Sequence, residues 1–320
     1  MNDKYYACKV LLTTCSDCKK DENLLFVTDP FSYEVARMMW EAAADYPNKS
    51  MIVMDERTMH GQDPNPMVAA AMAKADVIFG ATKFSLFHTQ ARRDAVAGGA
   101  RFVNMVDYRL SMFESGGLFA DFEKEGEKCT YLADAMMGDT ITITTERGTH
   151  ITSSIKGRKT VPQYGRSLKR GDSSSPPDIE CAVCAVEGTA SGVAYIDGSI
   201  PHPELGLITD EIKLVIKESK IVSITGGPQA ETLSRIMRDF NDDKVYYIGE
   251  LGVGLNSKCS LNGLMLEDEG CARTMHFGCG SNTGFFGTIE CPIHLDLVFR
   301  EPTIAVDGKI IVEKGEVVGL

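Results

Sequence analysis

The sequence predicts an α/β protein in two parts. An N-terminal parallel-sheet α/β domain covers residues 1–137, and a β-rich α+β domain covers residues 138–320. Three observations support this. Up to about residue 110, short apolar runs alternate with amphipathic stretches, the rhythm of a parallel sheet covered by helices. From about residue 138 the hydrophobic period shortens to two and turn residues punctuate it, as in antiparallel hairpins. The chain has 320 residues, 43% hydrophobic and 24% charged, which suffices for two cores of ordinary globular composition.

The elements follow in order. Residues 24–28 (Leu-Leu-Phe-Val-Thr) form the first strand and 33–45 a helix. Residues 51–54 form the next strand, and 66–75 a helix with Pro66 in the favoured first turn. Residues 76–80 are a third strand, 89–97 a helix stopped by Gly98-Gly99, and 101–105 a fourth strand. In the second part, 140–144 and 151–153 form a hairpin about Arg147-Gly148. Residues 156–178, rich in Lys and Arg and containing Ser173-Ser174-Ser175-Pro176-Pro177, read as an exposed, mobile surface loop, with a substrate lid as the alternative. Strands follow at 181–186, 192–196, 212–216 and 221–224, then a helix over 230–241 after Gly226-Gly227. The chain closes with a hairpin through Val306-Asp307-Gly308-Lys309, whose Asp-Gly suits a tight turn. No internal repeat is visible.

The 33 Lys and Arg against 45 Asp and Glu leave a net charge of −12. That acidity argues against nucleic acid or an anionic membrane as partner. No apolar run approaches the ~20 residues of a membrane span. The first residues lack a signal-peptide core, so a cytoplasmic protein is expected. Its ten cysteines are then free thiols packed as small apolar groups. Two Cys-x-x-Cys pairs occur, Cys15/Cys18 and Cys181/Cys184. The second lies in a strand, where a spacing of three puts the thiols on opposite faces, which disfavours a shared zinc ion. The cysteines, with fifteen methionines, suit a host living with little oxygen.

The chemistry is concentrated near the end of the chain. In Cys291-Pro292-Ile293-His294-Leu295-Asp296-Leu297-Val298, an imidazole and a carboxylate stand two residues apart in a strand-like run. They therefore project from one face, and a carboxylate there needs a partner. Upstream are His276, among Gly278, Gly280, Gly284 and Gly287, and Glu250, at the end of an apolar strand and followed by glycines. Two histidines with one carboxylate match a non-haem iron(II) site, and an added carboxylate suits zinc or a two-metal hydrolase. The glycine spacing around Glu250 is wrong for a dinucleotide fingerprint, and no other cofactor site is apparent. Glu267-Asp268-Glu269 reads as a solvated turn, although Glu269 could reach a metal by position. His60 and His150 read as surface residues, and His202 as a loop histidine between Pro201 and Pro203.

These stretches carry a resemblance. Residues 179–183, 249–256, 274–278, 293–296 and the final hairpin, in that order, resemble the aminopeptidase T family of metallopeptidases and the related 2,5-dihydroxypyridine 5,6-dioxygenases. The resemblance covers roughly residues 178–320. The peptidase branch implies two metals held by Glu180, Glu250, His276, His294 and Asp296. Its further tyrosine ligand falls seven residues after the first histidine, where this chain has Thr283. The dioxygenase branch implies one iron(II) on His276, His294 and Asp296, and is closer in chain length. Residues 82–92 resemble the segment giving that branch a histidine acid/base, here His88, and Asp197-Gly198-Ser199 near His202 resembles it too, suggesting a substrate contact.

The expectation is a metal-dependent enzyme. The first reading is a mononuclear Fe(II) ring-opening dioxygenase acting on a dihydroxypyridine-like aromatic. The second is a dinuclear metallo-aminopeptidase using Zn, Co or Mn. The third is a non-catalytic small-molecule-binding dimer. The resemblance also implies a homodimer with a small-molecule substrate.

Overall fold

The computed structural model describes residues 5–320 and divides the chain into two compact units. The first carries a five-stranded, wholly parallel sheet in the order Lys49–Val53, Leu24–Thr28, Val77–Ala81, Arg101–Asn104, Ser173–Ser174. Leu24–Thr28 and Val77–Ala81 are buried at every position, as strands covered on both faces must be. Three helices match the expected ones with trimmed ends: Tyr33–Ala42, Pro66–Met72 and Gln90–Ala97. Asn65 caps the second by accepting from Met67 N and Val68 N, and Thr89 caps the third by accepting from Arg92 N. Val68 and Met72 pack with Leu25, Val27, Ile78 and Phe102 in the core.

The second unit holds two antiparallel sheets. One has eight strands, in the order Lys220–Thr225, Ile212–Lys217, Ser191–Ile196, His150–Ser154, Thr140–Thr144, Thr303–Val306, Lys309–Glu313, Glu316–Val317. The closing hairpin turns at Asp307 and Gly308, both at positive φ (49° and 83°), as a two-residue turn matching strand twist requires. The other sheet has seven strands: Gly206–Leu207, Ser199–Ile200, His294–Arg300, Thr274–Gly280, Ile248–Gly254, Glu180–Cys184, Thr160–Gln163. The expected α/β domain and β-rich partner are therefore both present.

The division of the chain differs from a single boundary at 137. Helix Phe122–Ala135 goes with the second unit from Glu123 onward, where Cys129 Sγ lies 3.0 Å from Glu180 O and Tyr131 donates to Val318 O. Residues 164–177 return to the first unit, where Ser173–Ser174 completes the sheet. The segment 156–178 is accordingly not the exposed loop its composition suggested. Thr160–Gln163 pairs with Glu180–Cys184. Ser167 is fully buried, its hydroxyl donating to Phe102 O (3.0 Å) and accepting from Ser174 Oγ (2.7 Å). Serines whose hydroxyls find partners are admitted to a core that their composition alone would refuse.

Helix Tyr6–Val10 and the π-helical turn Leu11–Cys15 lie before the first expected element. Among the described residues the ten cysteines form no disulfide. Among the described residues, no helix is long and apolar enough to cross a membrane.

Candidate metal centre

The seven-stranded sheet presents one face rich in ligands. Its central strands, Ile248–Gly254 and Thr274–Gly280, are buried at every residue. In antiparallel pairing, residues opposite each other share a face. Glu250, Gly278 and Asp296 form one cross-strand row. Gly252 and His276 form the next on one side, and Gly280 and His294 pair on the other. Glu180 stands opposite Gly254. Side-chain alternation thus puts Glu180, Glu250, His276, His294 and Asp296 on the same face.

The glycines between them are what make room. An added Cβ on Gly252 would lie 2.1 Å from His276 Nε2. One on Gly278 would lie 2.6 Å from His294 Cε1 and 2.7 Å from Glu250 Oε2. The ligand side chains lie across these bare backbone positions. Glu250 sits inside its strand rather than after one, because residues 243–246 form a 3-10 turn and the strand starts at Ile248.

The cluster divides into two groups sharing one residue: Glu180, Glu250 and His276, and Glu250, His294 and Asp296. His276 Nε2 lies 3.2 Å from Glu180 Oε2 and 3.5 Å from Glu250 Oε1. His294 Nε2 lies 2.9 Å from Glu250 Oε2 and 3.1 Å from Asp296 Oδ1. Glu250 therefore turns one oxygen to each histidine. His294 Nδ1 is 2.7 Å from Ser281 O, which can only accept, so Nδ1 carries the proton and Nε2 is left for the centre.

Electrostatics set the state of these groups. Burial alone would lower His276, but Glu180, Glu250 and Asp296 outweigh it and raise its pKa to about 9. His294 is raised in the same way, chiefly by Asp296 against the effect of burial. Burial opposes ionisation of Asp296, yet His294 and His276 hold it below the usual carboxylate range. Glu180 goes the other way: burial and the nearby Asp178 push it well up. Gln163 Nε2 donates to the outer oxygen of Glu180 and orients it.

Whether a cation fits can be read from unmatched atoms. Glu180 Oε2, Glu250 Oε1 and Asp296 Oδ1 are buried and have no hydrogen-bond partner beyond the histidine nitrogens 3.1–3.5 Å away. Such atoms are costly unless something else meets them. Within each group the ligand atoms lie within 4.8 Å of one another, compatible with bonds of about 2.0–2.2 Å to a shared ion. The donor set, imidazole and carboxylate, suits Fe(II), Zn, Co or Mn. The residues fit a metal.

Two further carboxyls join the site that sequence reasoning passed over or discounted. Asp178 is 2% exposed with an unpartnered Oδ1, and burial, then Glu250, raises it well above its ordinary value. Its spacing of two from Glu180 was the same signal as His294/Asp296. Glu269, within the run read as a solvated turn, is raised by burial and then by Asp296 beside it. Its neighbours Glu267 and Asp268 are buried as well. Asp268 accepts from Asn262 N (2.7 Å) and Gly263 N (2.9 Å), and backbone donors are why an acidic run can lie inside.

Other candidates lie elsewhere. His88 belongs to the first unit, exposed in the loop between strand Val77–Ala81 and helix Gln90–Ala97. His202 is in the second unit's loop after Ser199–Ile200, its Nδ1 accepting from Glu204 N. Neither is in the ligand groups. Thr283 is exposed in the 3-10 turn Thr283–Phe285.

Comparison with known proteins completes the description. The family model described as 2,5-dihydroxypyridine 5,6-dioxygenase (NicX) matches residues 28–319. A curated 2,5-dihydroxypyridine 5,6-dioxygenase of Pseudomonas putida is 31% identical over 168 residues. That match covers 49% of this chain and 48% of the relative, so the chain spans about half the length of that relative. The solved 2,5-dihydroxypyridine dioxygenase of P. putida KT2440 superposes with a TM-score of 0.83 at 19% identity, covering 100% of this chain and 99% of that one. Wild-type AmpT from Thermus thermophilus superposes with a TM-score of 0.70 at 13% identity, over 99% of both chains. At these identities the superpositions establish the shared fold.

Proposed function

The chain belongs to the 2,5-dihydroxypyridine 5,6-dioxygenase (NicX) family, and from that premise we propose that it is a metal-dependent dioxygenase opening a dihydroxypyridine-like aromatic ring. The observation that carries the reading is the single sheet face on which strand register sets His276, His294 and Asp296 around Glu250, the residue common to both ligand groups. These three residues would hold iron(II), which when bound supplies Lewis acidity and a one-electron route for molecular oxygen to react with a closed-shell ring.

The chain's own residues have defined work. The Ser281 carbonyl fixes the His294 tautomer. Glu250, with one oxygen toward each histidine, holds both rings in orientation. Gly252 and Gly278 leave the floor free of side chains. Glu180, Glu250, His276 and Asp296 are at most 4% exposed, which keeps bulk water from the ligands. His88 as the group that takes and returns a ring-hydroxyl proton, and His202 as a substrate contact, rest on the resemblance alone.

A second reading has its own observation. The two ligand groups sharing Glu250 are what a bridged pair of ions would need, as in a dinuclear aminopeptidase. Thr283 in place of the tyrosine ligand weighs against it.

The oxygen electrode decides between them. Iron-loaded protein given 2,5-dihydroxypyridine should take up about one O2 per ring opened, as a dioxygenase reaction requires. Hydrolysis of an aminoacyl substrate without oxygen uptake would reverse the ranking. We further read the chain as a cytoplasmic homodimer acting on a small molecule, with neither nucleic acid nor membrane as partner. The net charge of −12 supports the last part, and gel filtration tests the dimer.

A further inference from the structure

The ligand cluster is enclosed on every member but one. His294 has 31% of its side chain exposed, against at most 4% for the other four. Anything approaching the ligands from solvent therefore meets the surroundings of His294 first. Those surroundings include Phe285, whose ring stacks on the imidazole with centroids 5.7 Å apart and planes 23° apart.

The loop that carries Phe285 is fastened from beneath. Asn282 is fully buried. Its amide donates to Glu187 Oε1 (3.2 Å) and Cys184 Sγ (3.4 Å), and its Oδ1 accepts from Ile289 N (2.7 Å). Its backbone oxygen accepts from Phe285 N and Gly287 N, each at 3.0 Å. Glu187 also accepts from Thr288 N and Oγ1 and pairs with Arg158, which donates to Phe286 O. Phe286 is held at φ +63°, a conformation disfavoured for a bulky side chain, and the residue remains 62% exposed. A short loop is thus fastened by the buried Asn282 and the half-buried Glu187 and Arg158, while the Phe285 ring is half-buried against His294 and Phe286 is exposed. Lys159 lies over the Phe286 ring at 5.8 Å and accounts for that residue; core packing gives no reason for the half-buried ring of Phe285. A flat ligand does, because a pre-oriented ring stacks on it with little loss of entropy.

We propose that Phe285 is a specificity-determining residue: its ring, fixed beside His294, is the wall that aligns the planar heteroaromatic ring of the substrate at the exposed edge of the ligand cluster. The inference rests on the ring-opening reading. It predicts selection for flat six-membered rings over saturated rings bearing the same hydroxyls. It also separates binding from metal retention, since Phe285 donates no ligand atom.

Calorimetry on iron-loaded protein under nitrogen, titrated with 2,5-dihydroxypyridine, tests it in the wild type, Phe285→Leu and Phe285→Tyr. Metal content is measured on each sample. Expected are roughly tenfold weaker ring binding in Phe285→Leu, unchanged iron, and recovery in Phe285→Tyr. Equal affinity in all three would overturn the proposal and leave the ring-opening reading standing. Loss of iron from Phe285→Leu, with unchanged affinity per iron-loaded chain, would also overturn it and reduce Phe285 to a brace for His294. Absence of binding by the wild type would remove the ring-opening reading and this inference with it.

Discussion

Gly252 stands directly opposite His276 on the neighbouring strand, and the imidazole lies where a Cβ of residue 252 would be, 2.1 Å from its Nε2. No rotamer change at residue 252 relieves this, because Cβ is fixed by the backbone. Gly252→Ala should therefore displace His276 and reduce bound metal at least tenfold, with the far-UV circular dichroism unchanged. Gly284→Ala, with nothing within 4 Å of the added carbon, should leave metal content unaltered. Equal metal in the two variants would contradict this account of the site floor.

Asn282 should matter for stability out of proportion to its size. Its buried side chain meets Glu187, Cys184 and Ile289 N. Asn282→Ala leaves buried groups without partners, at a cost of about 2–3 kcal/mol. Urea denaturation measures the loss. A change below about 0.5 kcal/mol, that of an ordinary surface substitution, would mean the loop is held by other contacts.

The pH dependence follows from His276. Its folded pKa of about 9 is above the ordinary 6.5. In metal-free protein its contribution to stability is fully present below pH 6.5 and is lost as pH rises through about 9. Metal must displace that proton, so affinity should climb over the same window, roughly tenfold per pH unit for each proton released. Metal titrations at stepped pH check this, and an affinity flat from pH 6.5 to 9 would refute it.

If His88 handles the ring proton, His88→Ala should lower kcat by about 10²–10⁴-fold without changing metal content. His202→Ala should act mainly on KM. Steady-state oxygen uptake separates the two, and full activity in His88→Ala would withdraw its acid/base role.

Much of this was legible in the sequence because period-two and period-3.6 patterns report burial directly. The parallel strands of the first unit and the His294/Asp296 pair are of that kind. What was missed was polar and buried. Ser167, Asp268 and Asp178 look like surface residues by type, and only tertiary partners explain their burial. Glu250 reads as following its strand because the first half of the apolar run before it, residues 245–246, belongs to a 3-10 turn and the strand begins only at Ile248. The sharing of Glu250 by two ligand groups depends on strand register, which no single-strand pattern contains.

The most direct test is metal content per chain. Wild type and Asp296→Ala would be purified under nitrogen without chelators and analysed by mass spectrometry. The account predicts about one iron per wild-type chain, lost in the variant. About two zinc, cobalt or manganese ions per chain would contradict it and favour the bridged site.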